Sequence, residues 1–231
     1  KSCLEYLMQG ANVVPEDKGI FLNTSWRMEP TITNIVSELF YDERLMGNPS
    51  NESNSINWGK PCLRGTGNQF PNQGIVFEAI KHSGCSVKSI EEIDFIEKLV
   101  ESLLGGSYTY AQFNENRTGE ITPNDILVIA PYNVQVNRLE QRLKGRAKVG
   151  TVDRFQGQEA PIAIHSLTAS SSDDAPRGIE FLLEPNRLNV AISRAQCLSI
   201  IIGSPRLATG LINTVDEAEK VNRLCRLMMI N

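Results

Sequence analysis

Histidine and paired cysteine are scarce in this chain, and so is any excess of positive charge. Two histidines, His82 and His165, and five cysteines, Cys3, Cys62, Cys85, Cys197 and Cys225, are spread over 231 residues. No C-x-x-C pair occurs and neither histidine extends a cysteine into a zinc pattern, so structural zinc and dithiol redox chemistry lack their ligands. The odd, scattered set also excludes a disulfide framework and reads as five reduced thiols in a cytosolic protein. No apolar run approaches the roughly 18 residues of a membrane span, and no basic-then-apolar signal opens the chain. A soluble, cytoplasmic protein with no membrane partner is therefore expected. Lysine and arginine number 23 against 27 acidic residues, a net charge of −4. That argues against a protein held to nucleic acid by its overall field and leaves a local groove open. No nucleophile–base pair or metal cluster is found, so a small-molecule enzyme has no support.

What is present is a core. With 41% apolar residues and ordinary glycine and proline usage, the chain reads as globular, one domain with room for an appendage. Gly19–Leu22 reads as a short strand, followed by a polar loop through Arg27 and a helix opening at Pro30, with Ile32, Ile35, Val36, Leu39 and Phe40 on one face. Residues 47–74 look like a long connection and Gly74–Ile80 a second strand. Ser89 to Glu92 reads as a capping box for a helix carrying Ile93, Ile96, Val100 and Leu103, ending at Gly105-Gly106. Ile126–Ala130, apolar on both faces, suits an interior parallel strand. A helix through Val136, Leu139 and Leu143 follows, stopped by Gly145, then strands at 148–152, 162–167 and 198–202. Alternating buried strands and helices imply a doubly wound, mainly parallel α/β sheet with helices on both faces, whose ligands gather at the carboxyl ends of strands.

Three polar sets stand at loops of such a sheet. Asn23 to Pro30 places Arg27 where it could meet an anion, or form a surface ion pair. In Val149 to Glu159, Gly157 lets backbone N–H approach a phosphate and Glu159 can accept from a ribose hydroxyl; an ordinary turn is the plainer reading. In Pro185 to Ala195 a helix start places Leu188, Ala191 and Ala195 on one face, with Arg187 and Arg194 sharing another. They have a common anionic target or are paired surface salt bridges.

In this order the sets resemble the motifs of superfamily 1 helicases, in the branch of the nonsense-mediated-decay helicase and the replication nuclease-helicase. Ser25-Trp26-Arg27-Met28-Glu29-Pro30 is similar to the arginine motif opening the second RecA-like domain. Thr151 to Glu159 is similar to T-V-D-x-F-Q-G-x-E, Arg187 to Ala195 to the final arginine motif, and Ala130 to Gln135 to P-Y-x-x-Q. The resemblance implies a RecA-like P-loop NTPase fold spanning residues 1–231 and an ATP-dependent helicase or translocase. Arg27 and Arg194 would be its arginine fingers, Gly157, Glu159 and Arg187 would bind nucleotide, and Thr151, Asp153, Tyr132 and Gln135 would face single-stranded DNA or RNA. No G-x-x-x-x-G-K-[ST] occurs, so the Walker lysine and magnesium ligands for ATP are expected on a first RecA-like domain of the same polypeptide. Alone, the chain is expected to be inactive. Glu29 stands where many relatives carry histidine, with little expected consequence, and Ser25-Trp26 replaces Gln-Tyr. Bacterial relatives with the T-W-R-M wording often carry a RecB-type nuclease domain upstream. The rival is a RecA-like module that has lost catalysis and binds nucleic acid or a protein.

Overall fold

A computed structural model describes residues 8, 11, 13–15, 17–112, 115–210 and 212–230; Cys3 lies outside them. Among the described residues, ten strands and six helices follow one another. They run β1 (Thr24–Ser25), α1 (Pro30–Phe40), β2 (Met46–Gly47), β3 (Ser55–Asn57), β4 (Gly74–Ala79), α2 (Ile90–Leu103), β5 (Ser107–Gln112), β6 (Glu115–Glu120) and β7 (Ile126–Ile129). Then come α3 (Asn133–Leu143), β8 (Lys148–Gly150), β9 (Ala160–Ser166), α4 (Gly178–Leu182), α5 (Pro185–Ile192), β10 (Ala195–Gly203) and α6 (Val215–Met228). The central sheet has the order β4-β10-β9-β7-β8, and every pairing in it is parallel.

Burial on both faces dictates this arrangement. All positions of β7, β9 and β10 are buried, and backbone groups so enclosed must pair with neighbouring strands. On one face Val128, Ile162, Ile164 and Ile200 meet Ile96, Val100 and Leu139 of α2 and α3. On the other, Ala163 and Ile201 meet Ile32 and Val36 of α1, Leu188 of α5 and Leu224 of α6. The doubly wound reading holds.

Several local expectations are corrected. Gly19–Leu22 forms no strand: Ile20 and Leu22 are 89% and 83% exposed, so their apolar side chains have no sheet to enter. The strand lies next door, at β1, in a small parallel pair with β2. Within 47–74, taken as a connection, β3 joins β5 and β6 in an antiparallel sheet that buries Ile56. Ser89 caps α2 through Glu92 N–H at 3.2 Å, but its own N–H goes to Gln135 Oε1 at 3.0 Å, so the capping box is half made. The last helix of the arginine motif ends at Ile192 and Ala195 already belongs to β10. Cys62, Cys85, Cys197 and Cys225 are free thiols, and among the described residues no group of His, Cys, Asp and Glu is placed to hold a metal. No helix of the described residues is long and apolar enough to cross a membrane.

Candidate functional site

The three polar sets meet, but at the opposite edge of the sheet from the one expected. Glu159 immediately precedes β9 and Arg194 immediately precedes β10, and Ala160 N–H donates to Arg194 O at 3.1 Å. The Arg27 loop is fastened to the same edge, with Glu29 N–H donating to Gln196 O at 2.9 Å. The site therefore lies at the amino ends of β9 and β10. The carboxyl-edge rule failed because Gly157 to Glu159 and Ser193-Arg194 lead into strands rather than out of them.

Here Arg27 Nε donates to Glu159 Oε2, and Arg27 NH1 donates to Ser193 O at 3.1 Å. Arg194, 9% exposed, donates from Nε to Val190 O at 3.1 Å and from NH1 to Gln158 O at 2.9 Å. Burial first, and then the Arg27 charge, depresses the Arg194 pKa, while Glu159 opposes the shift. Arg27 is thus paired with Glu159, while Arg194, bonded to carbonyls, lies within their electrostatic reach. Two guanidiniums against one carboxylate leave a net positive charge at a partly desolvated edge, where an anion is favoured. Gly157 has φ +80° and a Cβ there would meet nothing within 4 Å, so its backbone is open to a ligand. Beside Arg27 and Glu159 lies a cavity of about 430 Å³ edged by Trp26, Asn51, Gln112 and Gln196. Gln112 Oε1 is buried without a hydrogen-bond partner.

Glu29 is the anchor of this edge, against the expectation of little consequence. At 1% exposure it caps α1, accepting from Thr31 N–H at 2.8 Å and Ile32 N–H at 3.2 Å. Two further polar residues escaped the sequence reading. Gln196 Nε2 donates to Glu159 Oε1 at 3.1 Å, and Asn54 Nδ2 donates to Arg27 O at 3.1 Å and Gln196 O at 3.0 Å. Neither belongs to a motif; a glutamine directly after Arg194-Ala195 at the head of an otherwise apolar strand was the available signal.

The remaining site residues are elsewhere. Arg187 is not part of the cluster. It sits near the amino end of α5, the end opposite Arg194, with NH2 3.6 Å from Asp153 Oδ2 and its guanidinium 4.7 Å from the Phe181 ring centre. Thr151 and Tyr132 follow β8 and β7 at the carboxyl edge, where Thr151 is half-buried and the Tyr132 ring packs 5.8 Å from Phe181. Phe181, also missed, thereby joins two of the sequence motifs, through Tyr132 and Arg187. Tyr132 is buried and its hydroxyl has no hydrogen-bond partner among the described residues. Gln135 cannot face a nucleic acid as it stands: it is wholly buried, with its amide given to Ser166 Oγ at 3.1 Å and Ser89 O at 3.4 Å.

Residues 1–206 match the AAA domain family. The chain belongs to that family. Similar proteins include mov-10-B.1 of Danio rerio, named as a helicase, 31% identical over 78% of this chain and 19% of its own length. The Regulator of nonsense transcripts 1 homolog of Arabidopsis thaliana is 30% identical over 87% of this chain and 16% of its length. Helicase sen1 of Schizosaccharomyces pombe is 31% identical over 79% of this chain and 10% of its length. The chain thus spans about a fifth or less of these relatives. An AAA domain with relatives among helicases of the resembled branch agrees with the α/β, RecA-like fold described above.

Proposed function

We propose that this AAA domain is the second RecA-like half of an ATP-dependent nucleic-acid helicase or translocase, supplying arginine fingers to a site completed by another domain. The observation that carries this reading is the convergence of Arg27 and Arg194, far apart in sequence, around the single carboxylate of Glu159. The residues fit a nucleotide: excess positive charge, an open left-handed Gly157 and an unpartnered acceptor on Gln112 face one edge. ATP, when bound with its metal, supplies a phosphoanhydride whose cleavage spreads charge over the phosphoryl oxygens. Arg27 and Arg194 offset that charge, Gly157 offers backbone N–H, and Glu159 accepts from the ribose. The magnesium ligands are assigned to the other domain, since the described residues gather no carboxylates for one. At the opposite edge, Thr151, Asp153 and Arg187 form the part of a single-stranded DNA or RNA track that remains exposed, while Gln135 and the Tyr132 ring support it from beneath.

In the complete protein, Arg27→Ala and Arg194→Ala should each lower kcat by about 10²–10⁴ with little change in KM, because a finger acts mainly in the transition state. Lysine should rescue little, since it lacks the planar fork. Steady-state ATPase assays at saturating nucleic acid decide it. Near-normal turnover in either variant removes that arginine from catalysis and favours a binding module instead.

A further inference from the structure

Each oxygen of the Glu159 carboxylate already accepts one hydrogen bond. Oε2 accepts from Arg27 Nε, and Oε1 accepts from Gln196 Nε2 at 3.1 Å. The two partners are held very differently. Gln196 is 6% exposed and its carbonyl is gripped by Glu29 N–H and Asn54 Nδ2 at 2.9 and 3.0 Å, so it is a fixed clamp. The Arg27 side chain is 34% exposed and its other bond is to a carbonyl, Ser193 O. Arg27 is the partner that can leave. Among the described residues Glu159 is the carboxylate paired with Arg27, and Arg194 bonds to carbonyls.

We propose that Glu159 is a gate on Arg27, which opens only for a nucleotide whose ribose hydroxyl takes the place of the arginine Nε–H. This deepens the reading above and rests on it. At rest the carboxylate neutralises one of the two guanidiniums and turns it from the phosphate side. A hydroxyl donating to Oε2 draws on the acceptor capacity that holds Nε and weakens that pairing, while Gln196 keeps the carboxylate in place. Arg27 then loses its strongest partner and is free to meet an anion. Ribose recognition is thereby read out at the chemical end of the nucleotide. A nucleotide without the hydroxyls binds but leaves Arg27 paired, so its penalty falls on kcat more than on KM.

The test has a readout apart from turnover. In the 231-residue chain uniformly labelled with ¹⁵N, the Arg27 Nε–H resonance, assigned through Arg27→Lys, should be slowly exchanging without nucleotide and lose that protection in Glu159→Gln. Millimolar ATP should abolish the protection. Under the same conditions 2′,3′-dideoxy-ATP should shift the Gly157 amide yet leave Arg27 protected. In the complete protein the dideoxy nucleotide should lower kcat about tenfold, and Glu159→Gln should reduce that difference to about twofold or less. An unprotected Arg27 at rest, or equal effects of the two nucleotides on it, overturns the gate while leaving the nucleotide site standing. Failure of ATP to shift any resonance of the site, together with unchanged ATP kinetics of Glu159→Gln in the complete protein, overturns the nucleotide reading, and the gate with it.

Discussion

Single residues here carry unequal weight, and burial decides which. Glu29 is almost wholly enclosed, and its carboxylate serves the first turn of α1 through Thr31 and Ile32 while Gln73 Nε2 reaches its other oxygen at 3.4 Å. Removing a cap of this kind costs about 1–2 kcal/mol. Glu29→Ala should therefore lower the unfolding free energy by about that amount in urea titrations, and an unchanged midpoint would show the cap to be idle. His165 is a different case. It lies inside β9 with Nδ1 unpartnered, and burial pushes its pKa down to about 4. Unfolded, it titrates near 6.5, so between the two values the unfolded chain binds the extra proton. The stability associated with neutral His165 is present above pH 6.5 and is lost as pH falls toward 4. That loss is about 3 kcal/mol across the window. His165→Leu should flatten this part of the stability–pH curve relative to the unsubstituted chain; parallel curves would refute the assignment.

At the level of elements, what could be read from sequence tracks how strongly burial shows in side-chain pattern. Ile126–Ile129 declares itself because every residue is buried, and α1, α2 and α3 because their apolar residues recur at helical spacing. The β5–β6 hairpin escaped notice because Glu115 to Glu120 is almost entirely exposed and carries no alternation. Gly19–Leu22 misled for the converse reason, since apolar residues without a neighbouring strand cannot form one. The site divides in the same way. Arg27, Glu159 and Arg194 were singled out in sequence through the motif resemblance, where spacing alone left their roles open. Their edge was not, because spacing does not say whether a loop leads into a strand or out of it. Arg187 and Arg194 share a sequence motif yet belong to opposite ends of α5, because the helix stops at Ile192 and places only Arg194 at the head of β10. Gln135 looked like a surface ligand and is a buried brace, a distinction that rests on the fit of α2 against α3.

Across the whole molecule, the residues proposed to meet nucleotide occupy the amino edge of the sheet and the Thr151 group the carboxyl edge. The segment from Thr151 to Glu159 runs between them, with Phe155 buried against Leu127, Ala160 and Ala191. Separation of this kind predicts separate defects. In the complete protein, Thr151→Ala should weaken nucleic-acid stimulation more than basal ATPase activity, while Glu159→Ala should also raise KM for ATP. Titrations of each variant with nucleic acid and with ATP check this, and indistinguishable defects would mean that the two edges do not divide the work.

The two ends of that segment differ in stiffness. Glu159 leads into β9, which is hydrogen-bonded to β7 on one side and β10 on the other. Thr151 hangs from β8, three residues long and paired on one side only. A strand held along one short seam yields more readily than one clamped along two. The connection is therefore a cantilever, rooted in the rigid middle of the sheet and free at its rim. A load applied at Thr151 flexes the rim before it disturbs the root, whereas a displacement imposed at Glu159 carries the whole arm with it.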